Sequence, residues 1–534
     1  VIATLRELVL LLIVIAAVAV AARRLKLPSA ILLVVTGIVL ALIPGLPQVQ
    51  LAPEIALLVV LPPLIYSSAV AMSWREFRFN LRPISLFAIG CVLFTTVTIA
   101  AASRWLLGFS WPAGFVLGAI VSPPDPVAPL AIARRMHLPK RILVILEGEG
   151  LANDATALIL YRFAVTTISA GAFSLGPAVG TFAAILAGEI LWGIGVGWLM
   201  LRVRRWVADP RIEILLSVLT PFLAYWPPVQ LGGSGVLATV TTGLYISWNG
   251  FELISAATRL QGVFFWDFLI YLIEGMVFLI TGLQARTLLG GMAENSRSEL
   301  VIAIVVVSAA VILTRFVWTF PATYVPRWLS PALRRRDPAP PWQWPFAIGF
   351  TGVRGIVTVA AALAIPITTA AGTPFPHRSL IIFLAFVVVL VTLVGQGLLM
   401  APIMTWLGLA NAGRRESQAS RAAELKATHQ ALAAASAELE SFAKERDLPQ
   451  EVLRPLRGFY REQLANIEHR KSSGEHHRHI VELGDEIGLR LIEAERRVIN
   501  ALYRSGELED DARRRIERAL DLREADIANQ QSAE

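Results

Sequence analysis

Apolar stretches of about 18 residues or more recur thirteen times in the first 410 residues of this 534-residue chain, and no other feature restricts its fold as much. Wound as a helix, such a stretch spans the roughly 30 Å hydrocarbon core of a bilayer. With boundaries at Pro, Gly and Arg clusters, the stretches run near 5–22, 28–45, 51–73, 82–107, 111–133, 141–168, 175–201, 211–230, 233–250, 260–285, 299–325, 344–366 and 378–408. Residues 1–410 hold 43 of the 88 charged side chains, while residues 411–534, a far shorter segment, hold 45. The chain therefore reads as two objects: a polytopic all-α membrane domain over 1–410 and a small soluble helical domain over 411–534. That division excludes most soluble enzymes, disordered chains and disulfide-rich scaffolds. Cys91, the single cysteine, lies in an apolar run and can staple nothing within the chain.

Loop charge sets the orientation. Loops after odd-numbered stretches hold 19 Lys and Arg residues, and loops after even-numbered ones hold 4. Basic loops mark the cytoplasmic side, so the N-terminus is expected outside and the charged tail inside. The first stretch lacks a basic lead-in and a small-residue cleavage site, and reads as an uncleaved helix. The positive excess thus sits at membrane edges rather than on a nucleic-acid-binding face.

Two stretches are interrupted. The fifth, WPAGFVLGAIVSPPDPVAPLAIAR, places Pro123, Pro124, Pro126 and Pro129 around Asp125. Each proline removes an N–H and frees the carbonyl four residues back, here those of Ala119, Ile120, Ser122 and Asp125. Free backbone at membrane depth is tolerated only inside protein or beside a watery cavity. A structural role for Asp125, capping a half-helix, is compatible with a functional one. The twelfth stretch is broken by Gly349, Gly352 and Gly355 around Arg354. The fifth and twelfth are seven apart, so two six-helix halves joined by the seventh would be inverted repeats with matching, crossed broken helices. Paired interruptions of that kind point to a transporter's binding site.

The sixth stretch, ILEGEGLANDATALILYRF, carries Glu147, Glu149 and Asp154 beside Asn153. A charge inside a span costs roughly 2.5–3.5 kcal/mol on insertion and defaults to a functional reading. Glu149 and Asn153, four apart, share one helix face; Gly150 and Asp154 share the next. Three ionised carboxylates on a bare helix are untenable, and Arg354 is the expected cation for Glu149. Asp154 is then left to exchange a proton for a metal cation. The alternative is that these charges are satisfied by hydrogen bonds and purely structural.

At ILEGEGLANDATALILY the sequence resembles the monovalent cation:proton antiporters, specifically the bacterial sodium/proton exchangers of the NhaP type. The resemblance covers most of residues 1–410 and rests on Glu149, Asn153 and Asp154, on Asp125-Pro126, and on Gly352, Arg354 and Gly355, with Leu61-Pro62-Pro63-Leu64 as a weaker match. It implies a homodimer in the bacterial plasma membrane, acting in pH homeostasis, with a core domain moving against a dimer domain. It implies electroneutral one-for-one exchange, since Asn precedes the essential aspartate. Asp154 would be cation ligand and proton carrier, Asn153, Asp125 and Pro124 would support it, Glu149 and Arg354 would form a structural ion pair, and Pro123, Pro126, Gly352 and Gly355 would shape the breaks. The chain departs from the family at Gly150, where Ser is frequent, and at Pro124, where Thr is frequent. Both changes delete a possible side-chain oxygen ligand, which backbone carbonyls or water could replace, and so bear on cation selectivity; the expected ion is Na⁺, with K⁺ close behind. No cofactor and no enzymatic activity are implied.

Glu189, Asp267, Glu274 and Arg315 also fall inside spans, and a structural role is expected for each. Gly193 and Gly197 form a helix-packing GxxxG. In the tail, 416–446, 450–471, 479–505 and 507–528 read as helices, and His476, His477 and His479 suggest a pH sensor, a metal-binding tract or a solvated loop. Two rivals predict other features. A membrane receptor needs a signalling signature in 411–534, which is absent from the sequence. A proton-coupled organic-solute carrier needs a roomier polar site than the Asn153-Asp154 pair demands.

Overall fold

Helices occupy the apolar stretches because a backbone in lipid must satisfy its own hydrogen bonds. The computed structural model describes residues 2–532 other than 26, 45–51, 171–174, 208, 251–252, 291, 293–295, 370–371, 447, 472–474 and 506. Among the described residues the structure is helical, apart from turns, loops and one isolated bridge between Thr368 and Pro374. The chain divides into two compact units, Val1–Arg414 and Arg415–Glu534.

In the first unit, eight helices among the described residues are long and apolar enough to cross a membrane: Arg6–Leu25, Pro53–Ala71, Leu81–Leu106, Gly176–Arg204, Pro210–Gln230, Ala257–Gly290, Arg297–Leu329 and Arg378–Trp406. Ser29–Leu42 and Trp111–Val121 are apolar but shorter. The segments with the densest chemistry fall outside that group. The acidic helix Lys140–Ala170 is long enough at 31 residues but too charged. The twelfth stretch is split into Gln343–Phe350 and Ile356–Leu363.

The unit has a centre and a rim. In the most apolar 18 residues of the span Arg378–Trp406, 67% are buried, against 17% in Arg6–Leu25 and 22% in Ala257–Gly290. One core cluster joins Val116 and Ile120 of the first broken helix, Leu151 and Ala155 of the acidic helix, Ala361 beyond the second break, and Leu384 and Val388 of the central span. The rim exposes Leu191, Trp198, Val263 and Phe264, apolar groups that lipid would cover. Gly193 and Gly197 pack within the chain: a Cβ on Gly193 would lie 2.4 Å from the Ala238 carbonyl oxygen of the helix Val236–Asn249.

Glu189, noted in the sequence, and Asp337 are structural. Glu189 Oε1 accepts from Gly235 N–H (2.9 Å) and Oε2 from Leu237 N–H (3.0 Å) at the start of the helix Val236–Asn249, and Ser234 Oγ donates to the same carboxylate. Asp337 accepts two hydrogen bonds from Arg141 (2.7 and 2.9 Å) and one each from Arg82 and Arg327 (both 2.8 Å). Burial alone would raise this carboxyl, but the hydrogen bond and charge of Arg141, with the charges of Arg327 and Arg82, hold it below its ordinary range.

The second unit contains Gln450–Lys471, Glu475–Arg504 and Asp510–Ser532 together with most of Leu409–Arg446. Arg457 pairs with Glu440 (2.6 Å), and Arg496 reaches Asp521 and Glu524 (both 2.5 Å). Ile492 and Leu520 are buried, whereas Leu483, Ile487, Leu491 and Val498 of the apolar stripe are exposed. The stripe is wider than the one helix, Asp510–Ser532, that packs against it. The side chains of His476, His477 and His479 lie outside the described residues.

Candidate cation site at two crossed helix breaks

The proline break comes first in the chain. Helix ends at Val121, residues 122–126 run without it, and the second half resumes over Val127–Arg135. Of the carbonyls expected to be freed, Ala119 O accepts from Ser122 Oγ (3.1 Å) and Ser122 O from Arg354 Nη2 (3.2 Å). The carbonyl of Val121 accepts from Arg354 Nε (2.9 Å). A guanidinium thus sits at the C-terminal end of a half-helix, where the helix dipole favours a cation.

The glycine break, residues 351–355, crosses the proline break. Asp125 N–H donates to Val353 O (2.7 Å), and Arg354 N–H donates to Thr392 Oγ1 (2.9 Å). Thr392 lies in a π-helical turn, Val391–Gln396, of the central span. The Asp125 carboxylate accepts from Val127 N–H (2.9 Å), the first residue of one half-helix, and lies against Gly355, which precedes the first residue of the other. An anion between two helix N-termini is favourably placed. The approach is closest at Gly355, where a Cβ would fall 1.6 Å from Asp125 Oδ2. Gly352 makes room for Arg315, whose Cδ would lie 2.4 Å from a Cβ there.

The acidic helix packs against this crossing. A Cβ on Gly150 would meet Pro126 Cγ at 2.3 Å, so serine, frequent at this place in the family, has no room here. Asp154, one turn further along, shares that face. Asn153 is fully buried; its Nδ2 donates to Pro124 O (2.8 Å), while its Oδ1 has no hydrogen-bond partner among the described residues. Asp154 is half-buried, faces Asp125 electrostatically, and has no hydrogen-bond or ion-pair partner among the described residues.

One expectation is corrected. Glu149 pairs with Arg315 of the helix Arg297–Leu329, not with Arg354. Arg315 Nη1 and Nη2 reach the two carboxylate oxygens at 2.5 and 2.8 Å, and both side chains are 1% exposed. Arg315 Nε also donates to Ile348 O (3.1 Å). The physical reason is competition: Arg354 is engaged by the carbonyls of Val121, Ser122 and Gly352, which the two breaks leave without helical partners. Arg315, on an intact helix, has its guanidinium free for the bidentate carboxylate geometry.

Three more of the intramembrane carboxylates noted in the sequence separate cleanly. Glu147 pairs with Arg134 (2.8 Å). Asp267 is exposed. Glu274, expected to be structural, is half-buried, has no hydrogen bond or ion pair among the described residues, and lies within electrostatic reach of Asp125. The roles of Arg315 and Glu274 escape the sequence because neither belongs to a local motif; their positions inside spans were the only available signal.

The chain is similar to known proteins. The family model described as "Sodium/hydrogen exchanger, transmembrane" matches residues 9–406. An uncharacterized Na⁺/H⁺ exchanger of Mycobacterium tuberculosis is 33% identical over 519 residues, covering 96% of this chain and 94% of that protein. A sodium, potassium, lithium and rubidium/H⁺ antiporter of Bacillus subtilis is 33% identical over 399 residues, 71% of this chain and 58% of its own length. Among solved structures, the sodium proton antiporter MjNhaP1 of Methanocaldococcus jannaschii has a similar fold. It matches with a TM-score of 0.59 at 18% identity, over 77% of this chain and 99% of its own.

Proposed function

The chain belongs to the transmembrane sodium/hydrogen exchanger family, and from that premise we propose that cation and proton compete for the Asp154 carboxylate. It is a multi-pass, NhaP-type monovalent cation:proton antiporter. The observation that carries the proposal is a difference among three carboxylates of one helix. Glu147 is held by Arg134 and Glu149 by Arg315, whereas Asp154 has no such partner. A partnerless carboxylate in a low-dielectric site must bind either a proton or a cation.

A single carboxylate that swaps one proton for one monovalent cation is neutral in both loaded states, so the exchange is electroneutral. The unpartnered Oδ1 of Asn153 and the carboxylate of Asp125 supply further oxygens toward the cation. The Pro124 carbonyl orients Asn153. Glu149 and Arg315 hold the acidic helix to its neighbour, and Arg354 holds the two breaks together. Sodium is the favoured cation and potassium the second; the breadth named for the Bacillus relative supports including lithium and rubidium in the test. The full reading has thirteen crossings, the N-terminus outside, alternating access within a homodimer of the bacterial plasma membrane, and a regulatory tail from residue 411.

Cation-driven proton movement in proteoliposomes, titrated with Na⁺, K⁺, Li⁺ and Rb⁺, tests the reading. Asp154→Asn is expected to lower exchange to the level of empty liposomes while the purified protein melts within a few degrees of the parent. Exchange at parental rates in that variant would remove Asp154 as the carrier.

A further inference from the structure

A second site lies away from the crossed breaks, at the end of the membrane unit that carries most of the basic loops. A cavity of about 770 Å³ opens there, lined by Trp74, Arg75, Arg78, Trp248 and Arg336 among others. Its volume is in the range of small-molecule sites. Arg75 and Arg78 are three apart on the helix Trp74–Phe79 and so lie on one face. Arg336 ends the helix Pro331–Arg336, which arrives from a loop some 260 residues further along the chain. All three arginines are exposed and have no ion-pair or hydrogen-bond partner among the described residues.

The acidic groups nearby are already engaged. Glu76, the only carboxylate lining the cavity among the described residues, pairs with Lys140. Asp337 is shared by Arg82, Arg141 and Arg327. The cavity therefore presents uncompensated positive charge through guanidinium groups, whose planar donor fork matches phosphate oxygens. Its walls are also apolar and outward-facing: Phe79 is 58% exposed, Trp248 61% and the adjoining Leu81 47%. Tryptophan beside arginine at the end of a span is the composition of a membrane–water boundary.

We propose that this cavity seats the phosphate headgroup of an anionic lipid. A free phosphate ion would use the arginines and leave the apolar wall idle, whereas a lipid uses both. If these loops face the cytoplasm, the cavity meets the leaflet whose anionic lipids attract juxtamembrane Lys and Arg. The site does not depend on the assignment of Asp154, and its test reads binding rather than exchange.

The test uses the full chain in mild detergent, with melting temperature and native mass spectrometry as readouts. Phosphatidylglycerol is expected to raise the melting temperature by several degrees and to remain as a bound adduct, since a ligand of the folded state stabilises it by mass action. Phosphatidylcholine and inorganic phosphate are expected to do neither. R75Q/R78Q/R336Q should lose both effects, R75K/R78K/R336K should keep part of them, and R202Q/R205Q, at another basic loop, should keep them fully. If the triple variant fails to fold, R78Q alone should weaken the adduct. Equal stabilisation by phosphatidylcholine or by inorganic phosphate overturns the proposal. So does a folded triple variant, or R78Q in its place, that binds phosphatidylglycerol as the parent does, or equal loss in the R202Q/R205Q control.

Discussion

At the scale of single residues, three carboxylates within eight positions of one helix have different fates because of what reaches them. Their presence was legible in the sequence, and so was the argument that at least one must be paired. Which arginine pairs with Glu149 was not, because Arg315 and Arg354 both lie in apolar stretches and linear spacing does not rank them. The structure makes the pair Glu149–Arg315 almost fully buried. Removing one partner leaves an uncompensated buried charge, a loss of about 3–5 kcal/mol. Arg315→Gln is therefore expected to lower the melting temperature sharply, while the reciprocal swap Glu149→Arg with Arg315→Glu should recover part of the yield. A swap between Glu149 and Arg354 should recover none. Thermal melts and membrane yields of the three variants check this.

At the scale of elements, the two breaks work as one unit although over two hundred residues separate them. Prolines in one and glycines in the other were visible in the sequence, and membrane depth made each suspicious. That they touch, with Asp125 N–H on Val353 O and the Asp125 carboxylate against Gly355, is a long-range fact. Glycine is required at 355 by contact with Asp125 rather than by local backbone geometry. Gly355→Ala should separate the breaks, costing at least the 1–3 kcal/mol typical of overpacking, and should abolish exchange. Gly188→Ala, with nothing within 4 Å of the new methyl group, should leave exchange unchanged in the same proteoliposome assay.

At the scale of the whole molecule, Asp337 ties the ends of three long helices together through Arg82, Arg141 and Arg327. Its carboxyl is held below the ordinary range, so its folded form favours the charged state. The stabilisation is then complete above the unfolded pKa near 3.9 and is lost only as pH falls through the lower folded value. Asp337→Asn should cost about 1–2 kcal/mol at pH 7, less than a fully buried pair because Arg82 and Arg141 are partly solvated. The gap to the parent should close below the ordinary carboxylate range, as melting curves from pH 7 to pH 3 would reveal. By itself the sequence determined the change in charge density near residue 410, the helical class, the two interrupted stretches and the motif residues. Those follow from local composition, since the cost of placing charge or unpaired backbone in lipid is felt wherever the residue goes. Tertiary structure alone decided the partners: Arg315 for Glu149, carbonyls for Arg354, two helix ends for Asp125 and, among the described residues, none for Asp154. Pairing depends on distance in space, and distance in space is what the linear order of residues does not contain.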